Sequence, residues 1–220
     1  MGVMLVEACR VGALFPFAYW LVGPCMKWAD KARGALTSDR VTAGCAALLG
    51  GVVCLMVLDP DPGGWSATAS MILVALLAVA AVVDMRSRLV SHQSVALMTG
   101  AALCICLFGP FDNGAWIVVQ RIIEALLVYG ALLVGGICFE RITGRASFGG
   151  GDLKVVIAIT LGFGLEFSLL ALGASCLITP AWAALSGHGS VTKDSTVPLV
   201  ACLCIGVCIA LLVVGGFGWP

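Results

Sequence analysis

Most of this chain consists of long runs that contain no charged residue. These runs cover residues 11–26, 41–58, 62–83, 89–111, 125–139, 155–165, 167–192 and 195–220. A helix that crosses a bilayer needs about 20 predominantly apolar residues. Only 11% of the 220 residues are charged and 61% are hydrophobic, whereas soluble domains average about 25% charged residues. The pattern indicates a polytopic membrane protein and excludes a soluble enzyme or a secreted disulfide scaffold.

The runs predict an all-α protein with about eight transmembrane helices. The first run extends back to about residue 3 and the fifth to about residue 115, each across one pair of opposite charges. The two runs that flank Glu166 are together too long for one span, and Gly162 and Gly164 supply a break between them. We therefore expect a short sixth helix.

The positions of the charged residues predict how these helices are oriented. With both termini outside, the inner connections are 27–40, 84–88, 140–154 and 188–194, and they hold ten of the twelve Lys and Arg residues. The outer connections hold acidic residues alone, namely Asp59, Asp61, Asp112 and Glu166. Because basic residues are enriched in cytoplasmic loops, this asymmetry places the N-terminus and the C-terminus outside.

Short connections and dispersed cysteines limit what else the chain can hold. The two longest connections have only about 15 residues, so residues 1–220 are expected to form a single integral-membrane domain. Eleven cysteines lie almost entirely in the apolar runs without a Cys-x-x-Cys pair, which favours packing between helices over metal binding. The net charge is zero, so no nucleic-acid partner is expected. We predict no metal and no cofactor.

Ionisable residues at membrane depth are costly and are therefore candidates for function. Glu7 with Arg10 and Arg121 with Glu124 are spaced three residues apart on predicted helices, and we interpret them as pairs that neutralise each other. Asp84 ends the third helix and Asp152 opens the sixth. Opposite helix directions bring these two carboxylates to the same inner boundary of the membrane. Taken alone, Asp152 is a good helix N-cap and Asp84 a solvated charge.

The residues around both aspartates resemble the type IV prepilin peptidase family, which are Gly-x-Gly-Asp membrane aspartic proteases. Gly149-Gly150-Gly151-Asp152-Leu153-Lys154 is similar to the second catalytic motif of that family, and Asp84-Met85-Arg86-Ser87-Arg88 resembles the first. The first motif usually continues with Pro-Asn, where this chain has Ser91-His92. That departure lies after Asp84, so we expect it to affect the shape of the following loop more than the role of the aspartate.

The resemblance implies a function and a site. Asp84 and Asp152 would be catalytic, with support from Gly149, Gly151, Lys154, Arg86 and Arg88. The partner would be a prepilin precursor, with a short basic leader and one apolar helix, in the bacterial inner membrane. Longer family members carry a zinc-binding domain next to a methyltransferase activity, and this chain lacks its Cys-x-x-Cys pairs. The resemblance is therefore to the short, peptidase-only form of Flp-type pilus systems.

Two carboxylates that share a proton can hydrolyse a peptide bond, because the ionised one activates water while the protonated one assists the carbonyl oxygen. Asp152 begins a helix and Asp84 ends one, so helix dipoles favour Asp152 as the ionised base. Two alternatives remain open. One is a presenilin-like or signal-peptide-peptidase-like intramembrane protease. The other is a small transporter in which Asp84 and Asp152 bind a cation or proton.

Overall fold

The structure, a computed structural model, describes residues 2–29, 37–57, 65–87, 89–108, 114–144, 149–185 and 199–217. These residues form eight α-helices and contain no strand. The helices are α1 (Gly2–Ala29), α2 (Thr37–Val57), α3 (Trp65–Ser87), α4 (His92–Phe108), α5 (Gly114–Thr143), α6 (Gly150–Phe163), α7 (Leu165–Leu185) and α8 (Leu199–Phe217). The prediction of an all-α protein with eight helices is confirmed.

Two helical segments are long and apolar enough to cross a membrane by length and composition, namely Thr68–Ser87 in α3 and Ala115–Thr143 in α5. Shorter apolar helical segments cover His92–Leu107, Leu165–Ala181 and Leu199–Val214. Helices of this composition are consistent with a membrane protein.

Helix α3 forms the centre of the bundle, and α5 lies at its edge. Nearly every α3 side chain from Met71 to Val83 is buried, and the helix packs against α1, α2, α4 and α8. By contrast, α5 exposes large apolar side chains such as Trp116, Leu126 and Ile142. An apolar face of this length is unfavourable in water, so lipid is its natural surrounding.

Successive helices run in opposite directions, which gathers several helix ends at one end of the bundle. Asp39 at the start of α2 pairs with Arg86 at the end of α3. His92 at the start of α4 contacts Lys154 in α6, and Val200 at the start of α8 contacts Asp84. We call this the aspartate end, where α3 ends and α4, α6 and α8 begin.

Helix α6 is short, as predicted, and a single residue separates it from α7. It has 14 residues, or about 21 Å at 1.5 Å per residue, and it ends at Gly164. Gly164 has a φ of 92° and a ψ of 174°, a conformation that is open essentially to glycine alone. The predicted break between Gly162 and Glu166 is thus confirmed. It consists of Gly164 alone, because Gly162 is helical and packs against Leu73 of α3.

Candidate active site

The carboxylate of Asp84 lies in the last turn of α3 and is directed at the start of α8. The residue is 5% exposed, and its Oδ2 accepts a hydrogen bond of 3.2 Å from the backbone N–H of Val200. Val200 occupies the first turn of α8, where backbone N–H groups have no partner within the helix. The positive end of the α8 dipole therefore acts on the Asp84 carboxylate in favour of its charge, and the burial of the residue acts against it.

Asp152 occupies the first turn of α6 in a different environment. Its Oδ2 accepts a hydrogen bond of 3.1 Å from the backbone N–H of Gly149, which is the N-cap residue. The prediction that Asp152 is itself the N-cap is therefore wrong, because the glycines before it already begin the helical turn and place it at the third position. Burial raises the pKa of the Asp152 carboxyl, and the Gly149 hydrogen bond partly offsets that rise.

The three glycines before Asp152 differ in the space around them. A Cβ on Gly149 would lie 3.0 Å from the Asp152 carboxylate, and a Cβ on Gly151 would lie 3.1 Å from Cβ of Val90. A Cβ on Gly150 would meet nothing within 4 Å. A Cβ at the first or third position of the Gly-Gly-Gly-Asp segment would therefore crowd its neighbour, whereas the second position is open.

Two contacts join the segment after α3 to the first turns of α6. Val90, in the connection between α3 and α4, packs against Gly151. Two residues later, Nδ1 of His92 lies 3.1 Å from Nζ of Lys154. Because the lysine ammonium can only donate, the imidazole nitrogen accepts in this contact. The two contacts bring the Asp84 segment and the Asp152 segment together at the aspartate end.

A groove opens at the aspartate end beside α3. It has a volume of about 460 Å³ and is lined by Asp39, Thr42, Val82, Met85 and Arg86. Within it, Nε of Arg86 lies 3.4 Å from Oδ2 of Asp39. Arg86 therefore borders the groove, while Arg88, the other predicted supporting arginine, lies outside the described residues.

The Arg121–Glu124 pair lies at the junction of α6 and α7, far from the aspartates. Nη1 of Arg121 is 3.1 Å from Oε2 of Glu124, so the prediction that these charges neutralise each other is confirmed. Oε2 also accepts the backbone N–H of Leu165 at 3.0 Å, which caps the start of α7. The other predicted pair includes Glu7, whose side chain lies outside the described part.

The arrangement at the aspartate end suits acid–base chemistry. Two carboxylates lie there: Asp84 accepts an N–H from the first turn of α8, and Asp152, in the first turn of α6, accepts the N–H of Gly149 and has a pKa raised by burial. Two carboxyl groups at one end of a bundle can act as an acid and a base when one is ionised and the other protonated. Across the described residues, no group of three or more His, Cys, Asp or Glu side chains is placed to hold a metal ion.

A comparison with family models identifies the chain. The model of the type IV leader peptidase family matches residues 71–184, which is just over half of the sequence and includes both aspartates. The chain belongs to the type IV leader peptidase family. Membership assigns a membrane-associated protease, and the activity of the family is type IV leader peptidase activity. Searches of curated proteins and of solved structures gave no significant match.

Sequence reasoning missed two residues that contact the candidate site. Val200 and His92 lie in ordinary helix starts, and no spacing rule relates them to Asp84 or Lys154. Ser91 did carry a signal, since serine before a helix is a common N-cap. Its Oγ accepts the backbone N–H of Ser94 at 3.1 Å, so the departure from Pro-Asn at this position still provides a defined start for α4.

Proposed function

We propose that this leader peptidase is an aspartic endopeptidase whose catalytic pair is Asp84 and Asp152. The observation that carries the proposal is that both carboxylates, from distant parts of the family-matched segment, lie at one end of the bundle and each accept an N–H from the start of a helix. Gly149 contacts Asp152 directly, Gly151 and Lys154 join α6 to the segment after α3 through Val90 and His92, and Arg86 borders the groove beside α3.

The contacts favour Asp84 as the base and Asp152 as the acid. This is the reverse of the hypothesis drawn from the sequence, which considered only the dipoles of the helices that carry the two residues. The N–H of Val200 adds the dipole of α8 in favour of ionised Asp84. Burial raises the pKa of Asp152, which favours its protonated form.

The reaction that follows is ordinary acid–base hydrolysis. Asp84 takes a proton from water as the water oxygen bonds to the scissile carbonyl carbon, and Asp152 gives its proton to the carbonyl oxygen. When the carbon–nitrogen bond breaks, Asp84 returns its proton to the departing amine. The carbonyl oxygen returns its proton to Asp152 as the new carboxyl group forms, so both side chains end in their starting states.

The substrate in this proposal is a Flp-type prepilin with a short basic leader, cleaved on the cytoplasmic side of the bacterial inner membrane. Eight spans with both termini outside would place the aspartate end in the cytoplasm. The basic residues Lys27, Arg40, Arg86, Arg141 and Lys154 all belong to helix ends at that end, in agreement with the positive-inside rule. The proposed reaction needs no metal and no cofactor.

Co-expression of a Flp-type prepilin with wild-type protein, Asp84→Asn or Asp152→Asn tests the proposal. We expect a shortened pilin with wild type and loss of at least about 10³-fold in cleavage rate with either variant. Membrane insertion of each variant, measured in isolated membranes, separates loss of catalysis from loss of the protein. Near wild-type cleavage by either asparagine variant would exclude the shared-proton mechanism.

The position of the cut separates the proposal from its alternatives. Sequencing the N-terminus of the processed pilin should place cleavage at the end of the basic leader. A cut within the apolar helix would instead support an intramembrane protease of the presenilin or signal-peptide-peptidase kind. Unchanged pilin together with aspartate-dependent cation or proton flux would support the transporter alternative.

A further inference from the structure

The groove lined by Asp39, Thr42, Val82, Met85 and Arg86 holds one carboxylate and one guanidinium beside two apolar side chains. We propose that Asp39 binds a Lys or Arg side chain of the substrate leader in this groove. The inference rests on the proposed function, because it assigns the place where the basic leader of that substrate is held. It adds a specificity residue on α2 to a catalytic pair that lies on α3 and α6.

The location of the groove relates it to the chemistry. Its α3 wall is formed by Val82, Met85 and Arg86, and Asp84 lies in the same helical turn with its carboxylate directed at the start of α8. An extended peptide advances about 3.3 Å per residue. A leader residue in the groove would therefore lie only a few residues from a scissile bond held at Asp84. Its volume of about 460 Å³ is within the range of roughly 300–1,000 Å³ that ligand pockets have.

The charge in the groove is suited to a cation. Asp39 supplies the carboxylate among the lining residues, at an end of the bundle where basic residues predominate. The carboxylate is largely shielded, with 13% of the side chain exposed, whereas the side chain of Arg86 is 39% exposed. The pair has one exposed and one shielded member and a contact of 3.4 Å, so an incoming lysine or arginine would compete with Arg86 for the Asp39 carboxylate.

The remaining walls suit the aliphatic part of such a side chain. Met85 is 45% exposed, although it is a large apolar residue beside two charged ones. Lysine and arginine place their methylene groups against apolar surface while the charged group reaches a polar partner. Val82 and Met85 form such a surface next to the carboxylate of Asp39, and the flexible thioether of methionine adapts to different side chains.

A charge exchange between enzyme and substrate tests the assignment. Wild type, Asp39→Lys and Ser38→Lys would each be assayed, in full-length form in membranes, with the basic leader and with a leader whose Lys and Arg residues are replaced by Glu. Ser38 is exposed and precedes Asp39 on α2, so Ser38→Lys adds a positive charge at the same helix end without lining the groove.

We expect Asp39→Lys to raise KM for the basic leader by about tenfold or more, because like charges then meet in the groove. It should also cleave the Glu-containing leader better than wild type does, a gain that a damaged fold cannot produce. Equal effects of Asp39→Lys and Ser38→Lys, or no gain with the acidic leader, would overturn the assignment while leaving the catalytic proposal standing. Failure of wild type to cleave the basic leader would overturn both.

Discussion

Asp84 and Asp152 differ in the backbone N–H group that donates a hydrogen bond to each carboxylate. Asp84 accepts an N–H from the first turn of α8. Asp152 accepts an N–H from its own N-cap and is half-buried, and burial raises its pKa. Under the proposed function, these contacts would adapt two carboxyl groups of the same intrinsic acidity to different roles.

Asp152→Asn should make the folded protein more stable while it abolishes cleavage. Because the pKa of Asp152 in the folded protein is raised, the folded state loses stability as the pH rises from the unfolded pKa through that raised value. The variant keeps an amide oxygen for the Gly149 N–H but has no charge to bury. Its gain in thermal midpoint should be smallest on the acid side and grow to a few degrees as the pH rises.

Thermal unfolding in detergent between about pH 4 and pH 8 measures this gain. Asp84→Asn is the matched control, and it should show no comparable increase, since its carboxylate is stabilised by the α8 N-terminus. A pH-independent gain for Asp152→Asn would show that burial of its charge is not the cause.

Val200→Pro should lower kcat by about tenfold with little change in KM. Proline removes the N–H that Asp84 accepts, and in the first helical turn that N–H has no partner within the helix. Leu199→Pro, one residue earlier in the same turn, leaves the Val200 N–H in place and should retain activity. Equal losses in the two variants would show that distortion of α8, rather than the bond to Asp84, controls the rate.

At the scale of elements, the junctions between helices depend on glycines that accept no Cβ. Gly151 is restricted by Val90 and Gly164 by the guanidinium of Arg121 together with its own positive φ. Other glycines in the same helices, such as Gly150 and Gly173, have open surroundings. Glycine therefore has a specific packing role at some positions and none at others.

Gly151→Ala should reduce cleavage, whereas Gly150→Ala should retain it. The added methyl group at residue 151 meets Val90 at 3.1 Å and must displace the connection that follows Asp84, and at residue 150 it meets nothing within 4 Å. Cleavage rates of the two variants in membranes, normalised to the amount of protein, make the comparison. Similar rates would mean that the contact with Val90 does not position the Asp152 segment.

Gly164→Ala should destabilise the protein by about 1–3 kcal/mol or more, because alanine is strained at this backbone conformation and its methyl group would overlap Arg121. Gly173→Ala in α7 is the control, where alanine should be neutral or stabilising by up to about 1 kcal/mol. Thermal midpoints in detergent distinguish the two. A stable Gly164→Ala variant would show that the junction can adopt an ordinary helical conformation.

At the scale of the whole molecule, the sequence predicts the number of helices and the end of the bundle that carries both aspartates. Apolar runs suffice to count the helices, because each run marks one helix. The charged connections, together with the alternating directions of the helices, then show which helix ends lie at the same end of the bundle. The contacts between Val200 and Asp84, His92 and Lys154, and Glu124 and Leu165 join residues 116, 62 and 41 positions apart. They depend on how the helices pack, which periodicity does not specify, so the sequence did not predict these contacts.

The proposed orientation makes a prediction for the whole chain. A reporter enzyme that is active only outside the cytoplasm should be active when fused after Asp112 and inactive when fused after Glu140. A reporter that fluoresces only in the cytoplasm should give the opposite pattern. The reversed result would place the aspartate end outside and remove the cytoplasmic leader from consideration as the substrate.

The shortness of α6 has a consequence for the lipid around the enzyme. With about 21 Å of helix between the aspartate end and Gly164, the polar junction near Arg121 and Glu124 lies about 9 Å short of crossing a hydrocarbon layer of about 30 Å. Bilayers adjust to such a mismatch by thinning locally. Under the proposed function, the acyl-chain length of the host membrane should therefore affect the rate of pilin cleavage, which is expected to be higher in thinner membranes.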